Sequence, residues 1–160
     1  REIAKALQIL GRKAGIFGML GGQVIDVKET GHAVSKEILD TVYELKTAAL
    51  IESSMMIGAV LGGAAAKELD ETEQIAKNIG LAFQIQDDIL DVTGTAATLG
   101  KPVHSDEKNE KTTYVTLFGV EKAKKIVEEK SLRAVLKLKE LPGDHIYLEQ
   151  LFRQLICREK

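Results

Sequence analysis

Residues 84–91 read Gln-Ile-Gln-Asp-Asp-Ile-Leu-Asp and set three carboxylates, Asp87, Asp88 and Asp91, within and at the end of a largely apolar helical stretch at 80–90. Uncompensated charge in such surroundings is costly, so the spacing demands an explanation. On a helix, positions 87 and 91 stand one turn apart and 88 and 91 nearly so, which lets the three side chains converge on one edge. Like charges that close repel, and a divalent cation is the usual resolution. Carboxylates that share their cation with substrate phosphates suit magnesium, which keeps several waters and rarely accepts an all-protein cage. A solvated acidic stripe is the bland alternative. Phe83, Ile85, Ile89 and Leu90 flank the acids, however, whereas a solvated face is polar all round.

Cationic residues recur in separate segments. Lys46-Thr47 lies inside a second apolar helical run at 43–61, where a lysine needs a partner, and a polar run at 100–114 is bracketed by Lys101 and Lys111. Each lysine alone reads more simply as a snorkelling surface residue. Taken with the acidic triplet, they are the parts required to grip a diphosphate, whose charge neither a metal nor an ammonium neutralises alone.

The elements that must position these groups are all helical by periodicity. Ile3, Leu7 and Leu10 recur at helical spacing, Gly11 and Gly15 punctuate, and a second helical piece runs through Asp26, where Gly18, Gly21 and Gly22 allow close helix contact. Ser35 is placed to cap a long helix that Gly62-Gly63 ends. Asp70 followed by Glu73 reads as a capping box opening the acid-bearing helix, and Gly94 closes it. The run 95–111 then reads as an exposed loop able to fold over a ligand. Beyond it, 114–141 reads as mostly helical with Ile126, Val127, Leu132, Val135, Leu136 and Leu138 inward, and Pro142-Gly143 breaks it. A last helix from Asp144 ends in the basic tail at 158–160. His32, His104 and His145 make no metal-ligand pattern.

Composition fits one modest core: 160 residues, 44% hydrophobic and 29% charged. A net charge of -2 leaves no electrostatic footprint for nucleic acid and no polybasic membrane anchor. No apolar run reaches the length of a membrane span. The single cysteine, Cys157, excludes an internal disulfide and fits a reducing cytoplasm. The opening residues 1–10 read as the middle of a helix without an N-cap residue.

Four ordered strings now stand together: Gly18-Met-Leu-Gly-Gly22-Gln-Val-Ile-Asp26, Lys46-Thr47-Ala-Ala-Leu-Ile, Gly80-Leu-Ala-Phe83-Gln84-Ile-Gln-Asp87-Asp88-Ile-Leu-Asp91, and Gly100-Lys101 through Lys111-Thr-Thr-Tyr114. In order and spacing they resemble the C-terminal half of the trans-isoprenyl diphosphate synthases, above all the bacterial farnesyl and geranylgeranyl diphosphate synthases. The resemblance implies an all-α, isoprenoid-synthase orthogonal helical bundle, C-terminal portion only. Residues 1–160 would be the C-terminal half of a single polyprenyl synthase domain whose N-terminal half is missing. The implied activity is a cytoplasmic, homodimeric prenyltransferase that condenses an allylic diphosphate with isopentenyl diphosphate, farnesyl diphosphate being the favoured product, with the fragment inactive by itself.

By the same resemblance, Asp87, Asp88 and Asp91 hold magnesium that bridges the allylic diphosphate. Lys46, Lys101, Lys111 and Arg158 bind diphosphate oxygens, and Thr47 and Gln84 orient the ionising carbon. The basic tail is equally explained by the helix dipole, so both readings of Arg158 stand. Of the family's two aspartate-rich segments only the second is present. Tyr43 stands where histidine is common before the lysine-threonine pair, and His104 where glycine is common; neither is expected to touch the named charges. A class I terpene cyclase is an alternative, although its second metal motif mixes asparagine, serine and glutamate, which this chain lacks. A non-catalytic subunit of a heteromeric prenyl synthase is the other, although such a subunit is expected to lose acids or lysines that this chain keeps.

Overall fold

A computed structural model describes residues 1–94 and 111–158. Lys101, His104 and the expected ligand-covering loop, apart from its last residue Lys111, lie outside the described residues. Every described element is helical. The order is α1 (Glu2–Ala14), α2 (Met19–Lys28), α3 (Lys36–Tyr43), a π-helical turn π1 (Glu44–Ala48), α4 (Ala49–Leu61), α5 (Ala66–Thr93), α6 (Tyr114–Phe118), α7 (Val120–Leu138) and α8 (Ile146–Ile156). None of these helices is long and apolar enough to cross a membrane.

The long helix expected over 36–61 runs without interruption, and Ser35 caps it by accepting a hydrogen bond from the Ile38 N–H. Its middle winds as π-helix at the Lys46-Thr47 step, which periodicity does not foresee. The start of α5 departs from expectation. Asp70 and Glu73 lie inside the helix, because the turn after α4, closed by Gly63 at φ +84°, needs only a few residues before α5 begins at Ala66. Glu68 there accepts from the Ala65 N–H at 2.6 Å, the half of a capping box that does not require a side-chain oxygen at the cap. Gly119, at φ +77°, divides the expected 114–141 helix into α6 and α7, since a residue in that region cannot continue a right-handed helix. At the other end α8 opens at Ile146, whose N–H is accepted by Asp144 at 2.9 Å.

α5 is the axis of the bundle. Ile75, Ala76, Ile79, Ala82 and Ile85 are fully buried and cover more than one face of it, the signature of a helix with neighbours on several sides. Ile75, Ile79 and Ile85 each contribute about 1.5–3 kcal/mol by leaving water. One apolar cluster joins Ile85 and Ile89 to Leu39 and Val42 of α3, Tyr114 of α6 and Val127 of α7. A second joins Ile75 and Ile79 to Ala134, Leu138 and Phe152. Leu132 and Leu136, expected inward, are exposed, because α7 packs through the row Ala123, Val127, Ala134 and Leu138 on its opposite side. Ile3, Leu7 and Leu10 of α1 and Leu20, Val24 and Val27 of α2 also stand exposed, an apolar stripe that the described residues leave uncovered.

Candidate functional site

The Lys46-Thr47 step is held by two glycines. A Cβ on Gly22 of α2 would lie 2.3 Å from the Lys46 backbone nitrogen, and one on Gly80 of α5 would lie 2.4 Å from the Ala48 Cβ. No side chain fits at either position, so the backbones of α2 and α5 close directly onto π1. A π turn inside an α-helix recurs at functional sites, where it redirects side chains that regular winding would stack elsewhere. Here Thr47 Oγ donates to Gln84 Oε1 at 2.9 Å, tying π1 to α5 one turn before Asp87.

Lys46 reaches the opposite way. Its Nζ donates to Asp26 Oδ2 at 2.6 Å, and Lys111 Nζ approaches Asp26 Oδ1 at 3.3 Å, so two ammoniums from segments far apart in the chain meet on one carboxylate of α2. Burial pushes the Asp26 carboxyl up, but the hydrogen bond from Lys46 and the charge of Lys111 outweigh it and hold the group below the usual carboxylate range. Both lysines remain about a third exposed, with ammonium protons available to a further anion. Asp26 is a site residue that motif reasoning passed over. The available signal was a lone carboxylate in the apolar run at 19–27, inside a string already noted for its glycines.

The acids occupy the last two turns of α5, where the helix dipole already disfavours negative charge. They do not converge. Asp87 keeps 38% of its side chain exposed and pairs with the Arg158 guanidinium, which also stacks 3.7 Å above the Phe83 ring. Asp88 is 3% exposed, and Asp91 is 1% exposed. Asp88 accepts from Tyr43 Oη, 2.8 and 2.7 Å from its two oxygens, and from the Tyr114 N–H at 2.9 Å. The expectation that three side chains meet on one edge is therefore corrected: among the described residues no three acids, cysteines or histidines form a metal-holding group. Successive helical residues point about 100° apart, so Asp87 looks outward while Asp88 turns into the core. The expectation that Tyr43 leaves the named charges alone is corrected by the same contacts. A tyrosine hydroxyl there reaches across 45 residues to the middle acid.

For magnesium, the donor chemistry fits at Asp87: a hard carboxylate oxygen at the surface, with a guanidinium already standing where a cation would be held. Asp88, with protein donors on both oxygens, does not present itself in this way. Of the two readings of the tail, the structure turns Arg158 toward α5, where its guanidinium contacts Phe83 and Asp87. Tyr114 completes the site wall. Its hydroxyl donates to Asp40 and its ring stacks on Tyr43 with centroids 5.8 Å apart, while burial and the Asp40 charge push the phenol far above its ordinary range.

The family model of the polyprenyl synthetases matches residues 3–153. The chain is 44% identical over 138 residues to the chloroplastic geranylgeranyl pyrophosphate synthase of Capsicum annuum, covering 86% of this chain and 37% of that protein. It is 38% identical over 164 residues to the farnesyl diphosphate synthase of Escherichia coli K12, covering 100% and 55%. Among solved structures, the geranyltransferase of Helicobacter pylori complexed with magnesium and isoprenyl diphosphate superposes with a TM-score of 0.80 at 30% identity, covering 98% of this chain and 51% of that one. The chain spans about half the length of these relatives or less.

Proposed function

This chain belongs to the polyprenyl synthetase family, and from that premise we propose that the protein carrying it is a magnesium-dependent prenyltransferase, condensing an allylic diphosphate with isopentenyl diphosphate to a short-chain product, farnesyl diphosphate in the first instance. Relatives of this chain make farnesyl or geranylgeranyl diphosphate. They include a chloroplastic enzyme and a bacterial one, so the fold serves more than one compartment. In the whole protein, a homodimer on this reading, these residues supply the C-terminal part of one helical domain.

One observation carries the reading: the π-wound Lys46-Thr47 step, locked by Gly22 and Gly80, joins Gln84 on one side and the Asp26–Lys111 pair on the other, a turn away from the exposed carboxylate of Asp87. Lys46 and Lys111 offer ammonium donors to diphosphate oxygens and stabilise the charge that develops as the carbon–oxygen bond breaks. Asp87 holds magnesium, which when bound supplies further charge stabilisation to the departing diphosphate. Thr47 and Gln84 face the ionising carbon and fix its orientation through their mutual hydrogen bond. Phe83 helps exclude water, so that the allylic cation is captured by the double bond of isopentenyl diphosphate, and the released diphosphate takes the proton that the resulting cation loses. Lys101 is read as a further diphosphate ligand.

The test is isopentenyl diphosphate incorporation by the whole protein, with product length read by chromatography. Wild type should transfer prenyl groups only with magnesium present, and Lys46→Ala and Asp87→Ala should each lose at least a hundredfold in turnover while remaining folded. The 160-residue chain by itself should incorporate none. Undiminished turnover in either variant would remove the assigned roles.

A further inference from the structure

Asp87 and Asp88 are neighbours in sequence, yet the structure gives them opposite surroundings. We propose that Asp88 is a positioning residue and not a metal ligand: its carboxylate, with Tyr43 as partner, fastens the segment that enters α6 at Thr113–Tyr114 onto α5, and leaves Asp87 as the outward-facing member of the pair. The metal half of this inference rests on the function proposed above; the fastening half stands on geometry alone.

Three observations bear it. Asp88 is 3% exposed, and its Oδ2 accepts both from Tyr43 Oη at 2.7 Å and from the Tyr114 N–H at 2.9 Å, while Oδ1 lies 2.8 Å from the same hydroxyl. Because Asp88 is buried with both oxygens already engaged, admitting magnesium with its waters would require opening this packed contact. The Tyr114 N–H is among those at the start of α6 that no intrahelical carbonyl can satisfy, so a buried acceptor must come from elsewhere in the fold. Asp88 is that acceptor, 26 residues earlier in the chain.

The attachment is also reinforced on both sides. Val34 N–H donates to Thr112 Oγ at 3.1 Å, and Lys111 sits on Asp26. The Tyr114 hydroxyl reaches Asp40 of α3, and its ring stacks on Tyr43. These contacts form a ring through α3, α5 and α6 with the Asp88 carboxylate at its centre. Fastening at this point also fixes Lys111, three residues before Tyr114, beside Lys46. Asp88 thus acts on the diphosphate grip through other residues.

The experiment uses the whole protein and two probes. Manganese binding is measured by electron paramagnetic resonance at saturating inorganic diphosphate, so that a weakened diphosphate grip does not enter the manganese affinity, and amide hydrogen exchange is followed at 112–118. For Asp88→Asn the expected result is manganese affinity within about twofold of wild type, at least tenfold faster exchange at the Tyr114 amide, and a melting temperature lower by roughly 3–10 °C. Asp87→Asn should do the reverse, losing at least tenfold in manganese affinity with exchange at Tyr114 unchanged. Should Asp88→Asn fail to fold, Tyr43→Phe carries the test, with faster exchange at 112–118 and manganese affinity retained. Loss of manganese affinity in Asp88→Asn equal to that in Asp87→Asn, with exchange at Tyr114 unaltered, would overturn the inference. If wild type binds no manganese with diphosphate, the proposed function fails; the exchange data then still decide the fastening role, which unaltered exchange in both Asp88→Asn and Tyr43→Phe would refute.

Discussion

Gly80→Ala is the sharpest perturbation of the frame that holds Lys46 and Thr47. A Cβ at position 80 would stand 2.4 Å from the Ala48 Cβ and 2.6 Å from the Ala48 Cα. Carbon atoms pack at about 3.5–4.0 Å, so α5 and π1 would have to separate by about 1 Å, and neither obstructing atom is the end of a side chain that could rotate away. Overpacking of this kind costs about 1–3 kcal/mol, offset by about 1 kcal/mol from the better helix propensity of alanine. The net effect is a loss of up to about 2 kcal/mol, read as a drop of roughly 2–8 °C in thermal melts monitored by circular dichroism. The separation also stretches the Thr47–Gln84 hydrogen bond from 2.9 Å to beyond a useful length, so diphosphate binding measured by calorimetry should weaken with it. Gly58→Ala is the matched control, since a Cβ there meets nothing within 4 Å on the exposed face of α4, and it should stabilise by about 1 kcal/mol. Equal stabilisation by both substitutions would refute the close-approach argument.

Three further outcomes are expected. Lys13 pairs with the buried Glu52 and with Glu73, so Lys13→Met leaves Glu52 uncompensated and should destabilise by about 3–5 kcal/mol at pH 8 in urea titrations. Burial already raises the Glu52 carboxyl above its ordinary 4.5, so the folded state binds that proton more readily than the unfolded chain; the loss in Lys13→Met should shrink as pH falls from 8 to 5, and a pH-independent loss would contradict the assignment. Asp26 is shifted the other way: its contribution is present above the ordinary 3.8 and disappears as pH falls through its lower folded value, so the stability gap between wild type and Asp26→Asn should close on acidification in urea melts below pH 4. Arg158→Gln frees Asp87, which is over a third exposed, so stability should change by less than about 1 kcal/mol, while manganese without diphosphate should bind several-fold more tightly by electron paramagnetic resonance. Unchanged affinity would show that the guanidinium does not compete with the metal.

The signals legible along the chain are local. Apolar spacing marked the helices, Ser35 and Gly94 marked two of their ends, and four short strings in order identified the family and the residues that carry charge. These signals depend on neighbours within a turn or two, which is the range over which a helical period or a cap is written. The tertiary structure alone decided which of the adjacent acids faces outward, because that depends on Tyr43 and Tyr114, 45 and 26 residues from Asp88. It likewise decided that Lys46 and Lys111 share Asp26, across 20 and 85 residues, and that Arg158 covers Asp87 across 71. The π turn belongs to the same class, since it accompanies the close approach of α2 and α5 at Gly22 and Gly80, whereas the start of α5 follows locally from how tightly Gly63 turns the chain. A carboxylate's role is set by the donors that surround it, and those donors are assembled only when distant segments pack.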